Sequence, residues 1–123
     1  MFNILTVDDD VMICDVLADF LKGKGYGVRS AHSGEEALEL IAKEKPDMVL
    51  LDMVMPGMGG EATLKEIKER YIDLPVIMVT VMTDEKKALN LLAEGATDYI
   101  TKPIDFKYLE KNLAIWESIK NLS

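Results

Sequence analysis

Hydrophobic and polar positions along this chain alternate between two patterns. Short, nearly continuous apolar runs rich in branched side chains occur at Ile4-Leu5-Thr6-Val7, Met48-Val49-Leu50-Leu51 and Val76-Ile77-Met78-Val79. Runs this short and this apolar suit strands buried on both faces, as strands of a parallel sheet are. Gly27-Val28-Arg29-Ser30-Ala31 and Tyr99-Ile100-Thr101 carry weaker strand signals. Between the runs lie stretches of helical length. In the first, Asp15, Asp19 and Lys22 form a polar stripe at spacing i, i+4, i+7. Val11, Cys14, Val16, Leu17, Phe20 and Leu21 occupy the rest, so most of that helix is expected to face protein. The second opens at Ser33-Gly34-Glu35-Glu36, where Ser33 and Glu36 have the spacing of a capping box. Pro46 closes the connection into the next strand. Further helices are expected over about residues 60–71, 84–94 and 105–121. Gly25 and Gly95 stand where helices should end, suited to left-handed caps. The order is strand-helix repeated five times. It predicts an α/β protein with an open parallel sheet and helices on both faces.

Composition narrows this picture. With 123 residues, 49% hydrophobic and 29% charged, the chain reads as one globular unit with a single core over 1–123. No apolar run approaches the length a transmembrane helix needs, so no membrane association is expected. Met1-Phe2-Asn3-Ile4-Leu5 reads as the start of a strand and not as a signal peptide. The single cysteine, Cys14, cannot form an internal disulfide, which fits a reducing cytoplasm. A net charge of −8 argues against direct nucleic-acid binding, which needs clustered Lys and Arg. Solubility accounts for most of that acidity.

The chemistry lies in where the acids fall. Sites in open parallel sheets form beyond the carboxyl ends of the strands. The first strand runs into Asp8-Asp9-Asp10 and the third into Asp52; the fourth ends at Thr80, and the fifth runs into Thr101-Lys102-Pro103. If the first and third strands are neighbours, Asp8, Asp9 and Asp52 converge. Crowded carboxylates repel unless a cation joins them, and an all-oxygen set suits Mg²⁺. A lysine and a hydroxyl at adjacent strand ends supply the charge and the hydrogen bond that a phosphoryl group needs. A carboxylate can itself be the nucleophile that accepts the group. The only histidine, His32, lies elsewhere.

These residues carry a family resemblance. Val7-Asp8-Asp9-Asp10, Leu51-Asp52-Met53-Val54-Met55-Pro56-Gly57-Met58-Gly59-Gly60, Val79-Thr80, Gly95-Ala96-Thr97-Asp98-Tyr99 and Thr101-Lys102-Pro103 resemble, in order and spacing, the motifs of response regulator receiver domains. The likeness spans nearly the whole chain. It implies a flavodoxin-like, doubly wound, five-stranded parallel sheet in order 2-1-3-4-5, flanked by five helices. It implies that the chain is a signalling phospho-acceptor of two-component systems, not an enzyme in the ordinary sense. Asp52 resembles the aspartate that takes a phosphoryl group from a histidine kinase or phosphotransfer protein. Asp8 and Asp9 resemble the pair that holds Mg²⁺, Asp9 directly and Asp8 partly through water, with Asp52 and the Val54 backbone carbonyl as further ligands. Lys102 resembles the lysine that contacts the acyl phosphate, and its bond to Pro103 is expected to be cis. Thr80 and Tyr99 resemble the switch pair, and the surface of the fourth helix, fifth strand and fifth helix resembles the one that meets an effector domain or a second copy.

Two positions depart from the family pattern. Val81 stands where a very small residue is usual, and its branched side chain is expected to narrow the phosphoryl pocket. Gly59 stands where an aspartate is common. Asp10 reads better as a helix N-terminal acid than as a ligand. Cys14 reads as core filling, and His32 as a solvated loop residue. A pseudo-receiver without phosphoryl chemistry is disfavoured by the complete set Asp8, Asp9, Asp52, Thr80 and Lys102. A flavodoxin would need a Ser/Thr/Gly-rich loop after the first strand, where this chain has acids. An aspartate-nucleophile phosphatase would need a following threonine that is missing. Two surfaces stand out beyond the site. Met12, with Ile13 and Val16, forms a candidate apolar patch for a kinase or phosphotransferase. In the last helix Phe106, Leu109, Leu113 and Trp116 make one face for the sheet, and Tyr108, Ile115, Ile119 and Leu122 make a second apolar stripe, with Asn112 at its remaining position. With the sequence ending at Asn121-Leu122-Ser123, either a stand-alone receiver or a piece of a longer protein is expected.

Overall fold

The structure is a computed structural model and describes residues 1–81 and 85–122. Five strands alternate with five helices: β1 (Asn3–Val7), α1 (Val11–Gly23), β2 (Gly27–Ala31), α2 (Gly34–Lys43), β3 (Met48–Asp52), α3 (Gly59–Arg70), β4 (Val76–Thr80), α4 (Glu85–Ala93), β5 (Asp98–Thr101) and α5 (Phe106–Asn121). All four pairings are parallel, and the sheet order is β2-β1-β3-β4-β5. Both expectations are met. Asp84, where the fourth helix was expected to begin, lies outside the described residues.

The continuous apolar runs are explained by two apolar clusters, one on each face of the sheet, where a single core was expected. Val49 and Leu51 of β3 pack with Ala37 and Ile41 of α2, Leu64 and Ile67 of α3, and Leu91 of α4. Met48 and Leu50 point the other way, to Leu17 and Leu21 of α1 and to Leu109 and Leu113 of α5. Successive side chains of a strand leave by opposite faces. A strand covered on both sides therefore needs apolar residues at every position.

Local signals set the helix starts. Asp10 caps α1 by accepting the backbone N–H groups of Met12 and Ile13, as its reading as an N-terminal acid requires. Asp105 does the same for α5, with Lys107 and Tyr108 as donors. Ser33 Oγ accepts the Glu36 N–H at 3.1 Å. The return bond of the capping box differs from expectation: Glu36 Oε1 accepts the N–H of His32, one residue earlier than Ser33, at 2.7 Å. Gly25 and Gly95 have the expected positive φ, at 93° and 111°.

One correction concerns α1. Val11 and Val16 were expected to face protein, but each is 55% exposed and Met12 is 74% exposed. The helix buries only Cys14, Leu17 and Leu21, with Ile13, Ala18 and Phe20 half-buried. A helix lying on one face of a sheet turns a single stripe inward, and these valines fall outside it. No helix among the described residues is long and apolar enough to cross a membrane.

Candidate acidic site at the carboxyl edge of the sheet

Register brings the acids together. Val7 of β1 pairs with Leu51 of β3, so the residues that follow them, Asp8 and Asp52, leave the sheet at the same level. Asp8 is 4% exposed and Asp52 is 5% exposed, whereas Asp9 faces solvent. Carboxylate oxygens of Asp8, Asp9 and Asp52 lie within 4.8 Å of one another. Lys102 reaches in from the end of β5. Its Nζ is 3.0 Å from Asp8 Oδ2 and 3.3 Å from Asp52 Oδ1. The Lys102 N–H donates to the Thr80 carbonyl at 2.7 Å, which ties the base of the lysine to the end of β4. The Lys102–Pro103 peptide is cis, as expected. Asp8 Oδ1 in turn accepts the Asp10 N–H at 2.9 Å.

The loop after β3 closes over Asp52. Gly60 donates its N–H to the Met53 carbonyl at 3.1 Å. A Cβ at Gly60 would stand 2.2 Å from the Asp52 carbonyl oxygen, so no other residue fits without moving the backbone that carries the acid. Gly59 has a φ of 74°, a conformation that glycine adopts at no steric cost. The Val54 N–H points at Asp52 Oδ1 across a long 3.5 Å, and the Val54 side chain is turned out to solvent.

Thr80 is buried at the end of β4, directly opposite Thr101. Tyr99 pairs with Met78, two residues before Thr80, so the two switch candidates project from the same sheet face on adjacent strands. Tyr99 is half-buried against the core formed with α2, α3 and α4. Val81 is 67% exposed, so its side chain lies at the rim and does not fill the interior.

Electrostatics follow from this crowding. Burial pushes the Asp52 carboxyl above the ordinary aspartate range, and the neighbouring Asp8 charge pushes it further; Lys102 opposes both. Burial pulls on Lys102 in the direction of losing its proton, but hydrogen bonding and attraction to Asp8 and Asp52 together outweigh it, and its pKa is raised. The ammonium therefore stays charged between two acids. Three carboxylates facing one ammonium leave an excess of negative charge. That excess, on hard oxygen donors at the mouth of the sheet, fits a small divalent cation of the Mg²⁺ type.

Every residue expected at the site thus lies at this edge, except that Tyr99 stands one strand-step back from it. Two features went unnoticed in the sequence. Asp98 has its own hydrogen-bond partners on α5, Tyr108 and Asn112. Pro103, Ile104 and Phe106 join Met12, Ile13, Val16 and Leu17 around a largely apolar groove of about 440 Å³ between α1 and the β5–α5 connection. The signal available for it was the apolar character of Pro103-Ile104 next to Lys102.

Comparison with known proteins agrees with this geometry. The family model of the response regulator receiver domain matches residues 4–114. The transcriptional regulatory protein ZraR of Escherichia coli K12 is 43% identical over 111 residues, which are 90% of this chain and 25% of that protein. ZraR of Klebsiella oxytoca is 41% identical over 112 residues. The chain thus spans about a quarter of the length of these curated relatives. Among solved structures, the receiver domain of the Francisella response regulator 1452 superposes with a TM-score of 0.92 at 28% identity, covering 98% of this chain and 99% of that one. The receiver domain of NtrX from Brucella abortus gives 0.86 at 34% identity, covering 92% and 96%. Motifs, sheet order, acid cluster and relatives agree, and the chain belongs to the response regulator receiver domain family.

Proposed function

We propose that residues 1–123 act as one phosphorylatable receiver unit, with Asp52 as the acceptor. The observation that carries this reading is Asp52 itself: a nearly buried carboxylate at a strand end, in contact with Lys102 and within reach of two more acids. A lone buried acid would be neutralised or lost. Its retention beside a lysine makes sense if it must be ionised to react.

Asp8, Asp9, Asp52 and the Val54 carbonyl are the groups that would hold Mg²⁺, and the ion would offset charge on the phosphoryl oxygens. The residues of the chain do the rest. An Asp52 carboxylate oxygen attacks phosphorus while the N–P bond of a phosphohistidine breaks; the bonding electron pair stays on the imidazole nitrogen, which takes up a proton. Lys102, already at Asp52 Oδ1, is placed to follow the new negative charge onto a phosphoryl oxygen. Thr80 supplies a hydroxyl from the adjacent strand end, and Tyr99 is its switch partner. Such a switch is a two-state equilibrium biased by the modification.

The donor is a histidine kinase or phosphotransfer protein, and the exposed Met12 and Val16 beside the groove by Lys102 support α1 as its docking side. The output is an effector domain or a second copy met through α4, β5 and α5, supported by the exposure of Tyr108, Ile115 and Ile119. A cytoplasmic location and no direct contact with nucleic acid or membrane follow from the same reading.

The test is intact mass after acetyl phosphate or phosphoramidate with Mg²⁺. One phosphoryl adduct is expected on the wild type and none on Asp52→Asn. Equal labelling of the variant would overturn the assignment.

A further inference from the structure

Away from the acid cluster, a second polar cluster joins the edge of the sheet to α5. Asp98 opens β5, one of the two edge strands of the sheet. Its Oδ1 accepts the backbone N–H of Tyr99 at 2.7 Å. Its Oδ2 accepts the Tyr108 hydroxyl at 2.6 Å and the Asn112 side-chain amide at 2.8 Å. Tyr108 and Asn112 stand four residues apart on α5, one above the other on the helix surface. One carboxylate therefore holds the backbone of the candidate switch residue with one oxygen and two positions of the candidate output helix with the other.

The surroundings leave this connection room to act. Tyr99, Asp98 and Tyr108 line an open groove of about 440 Å³ between β5 and α5, so neither ring is locked on all sides. The hydrogen bond to Asp98, followed by burial and the carboxylate's charge, raises the Tyr108 pKa, which keeps the phenol protonated and donating. A carboxylate is rigid and planar, so moving what one oxygen holds turns the other. Hydrogen bonds to an ionised acceptor are short and strong.

We infer that Asp98 is a coupling residue that passes a movement of Tyr99 to α5, with Tyr108 and Asn112 as its two attachments on the helix. The inference rests on the proposed role of Tyr99 as a switch. It also accounts for why the exposed α5 stripe carries polar Asn112 among Tyr108, Ile115 and Ile119: that position serves the sheet and not the partner.

Two measurements on the full chain test it, in wild type, Tyr108→Phe and Asn112→Ala. Both substitutions lie on the helix surface, and melting curves check that each variant is folded. In the resting protein, the Tyr99 amide should shift in the ¹⁵N spectrum and exchange with solvent severalfold faster in either variant, because its acceptor is no longer held from the other side. A Tyr99 amide indifferent to both variants overturns the inference. With beryllofluoride and Mg²⁺ as the activating probe, the wild type should change its amide exchange both in the β3–α3 loop and in α5. Each variant should keep the loop response and lose most of the α5 response. An α5 response as large as in wild type, or absent from wild type while the loop responds, also overturns it. If the wild-type loop shows no response either, the acceptor reading itself fails, and the Tyr99 amide result separates that failure from a failure of the Asp98 tie.

Discussion

At the scale of single residues, the character of the site is set by Asp52. Folding raises its pKa, chiefly through burial and then through Asp8. The folded protein thus holds this proton more tightly than the unfolded chain. The contribution to stability is a cost that is absent below the unfolded pKa and grows as pH rises to the folded one. Asp52→Asn removes the charge and keeps the shape. Without Mg²⁺ at neutral pH the variant should be more stable by about 1 kcal/mol, the usual size of a single-residue effect. The difference should fade toward about pH 3, below the ordinary aspartate pKa. Urea unfolding of both proteins across pH measures it, and a gap that stays constant with pH would contradict the charge argument. Stability gained on adding Mg²⁺ should be larger for the wild type, which keeps the carboxylate proposed as a further ligand.

At the scale of elements, the first loop and helix divide the labour among neighbouring acids. Asp8 is buried and paired with Lys102, Asp9 faces solvent in the cluster, and Asp10 caps α1. Their substitutions should separate cleanly. Asp10→Ala should cost about 1 kcal/mol of stability through the lost cap, with Mg²⁺ affinity nearly kept. Asp9→Ala should weaken Mg²⁺ binding strongly with little loss of stability. Calorimetric titration and thermal unfolding of the pair check both, and a larger affinity loss in Asp10→Ala would reverse the assignment. The same helix exposes Val11, Met12 and Val16, more apolar surface than capping or core packing needs. Met12→Lys should slow phosphotransfer from the cognate kinase while leaving phosphorylation by acetyl phosphate unchanged. Equal slowing of both would point to damaged folding and not to lost docking.

At the scale of the whole molecule, the carboxyl ends of the strands gather the acids, and the strand order decides which elements lie beside them. β5 lies at the margin of the sheet, next to β4 and packed on α5 through Ile100, so Thr80 and Tyr99 stand within one strand of an outer surface. That surface carries Tyr108, Ile115 and Ile119, 45%, 59% and 48% exposed. Single exposed apolar residues are ordinary, so the proposed contact rests on their shared stripe on one helix and needs a direct test. Light scattering at high concentration should show self-association that increases with beryllofluoride and Mg²⁺ and is suppressed by Ile115→Lys. A chain that stays monomeric in both states would remove the homodimer and leave an effector domain as the partner of this face.

The amino-acid sequence by itself determined the element order, the parallel sheet and the residues of the acid site. Each rests on a local rule: unbroken apolar runs for doubly covered strands, helical spacing for the connections, and acids placed at strand ends. The capping role of Asp10 and the left-handed glycines Gly25 and Gly95 were legible for the same reason. The order of the strands came only through family likeness, because nothing in one strand says which other strand it pairs with. Tertiary structure alone decided the rest. It turned Val11 and Val16 to solvent, since which stripe of a mostly apolar helix is buried depends on how it lies across the sheet. It shifted the return bond of the α2 cap to His32. It also joined Asp98 to Tyr108 and Asn112, a contact between elements whose partners carry no shared periodicity to announce it.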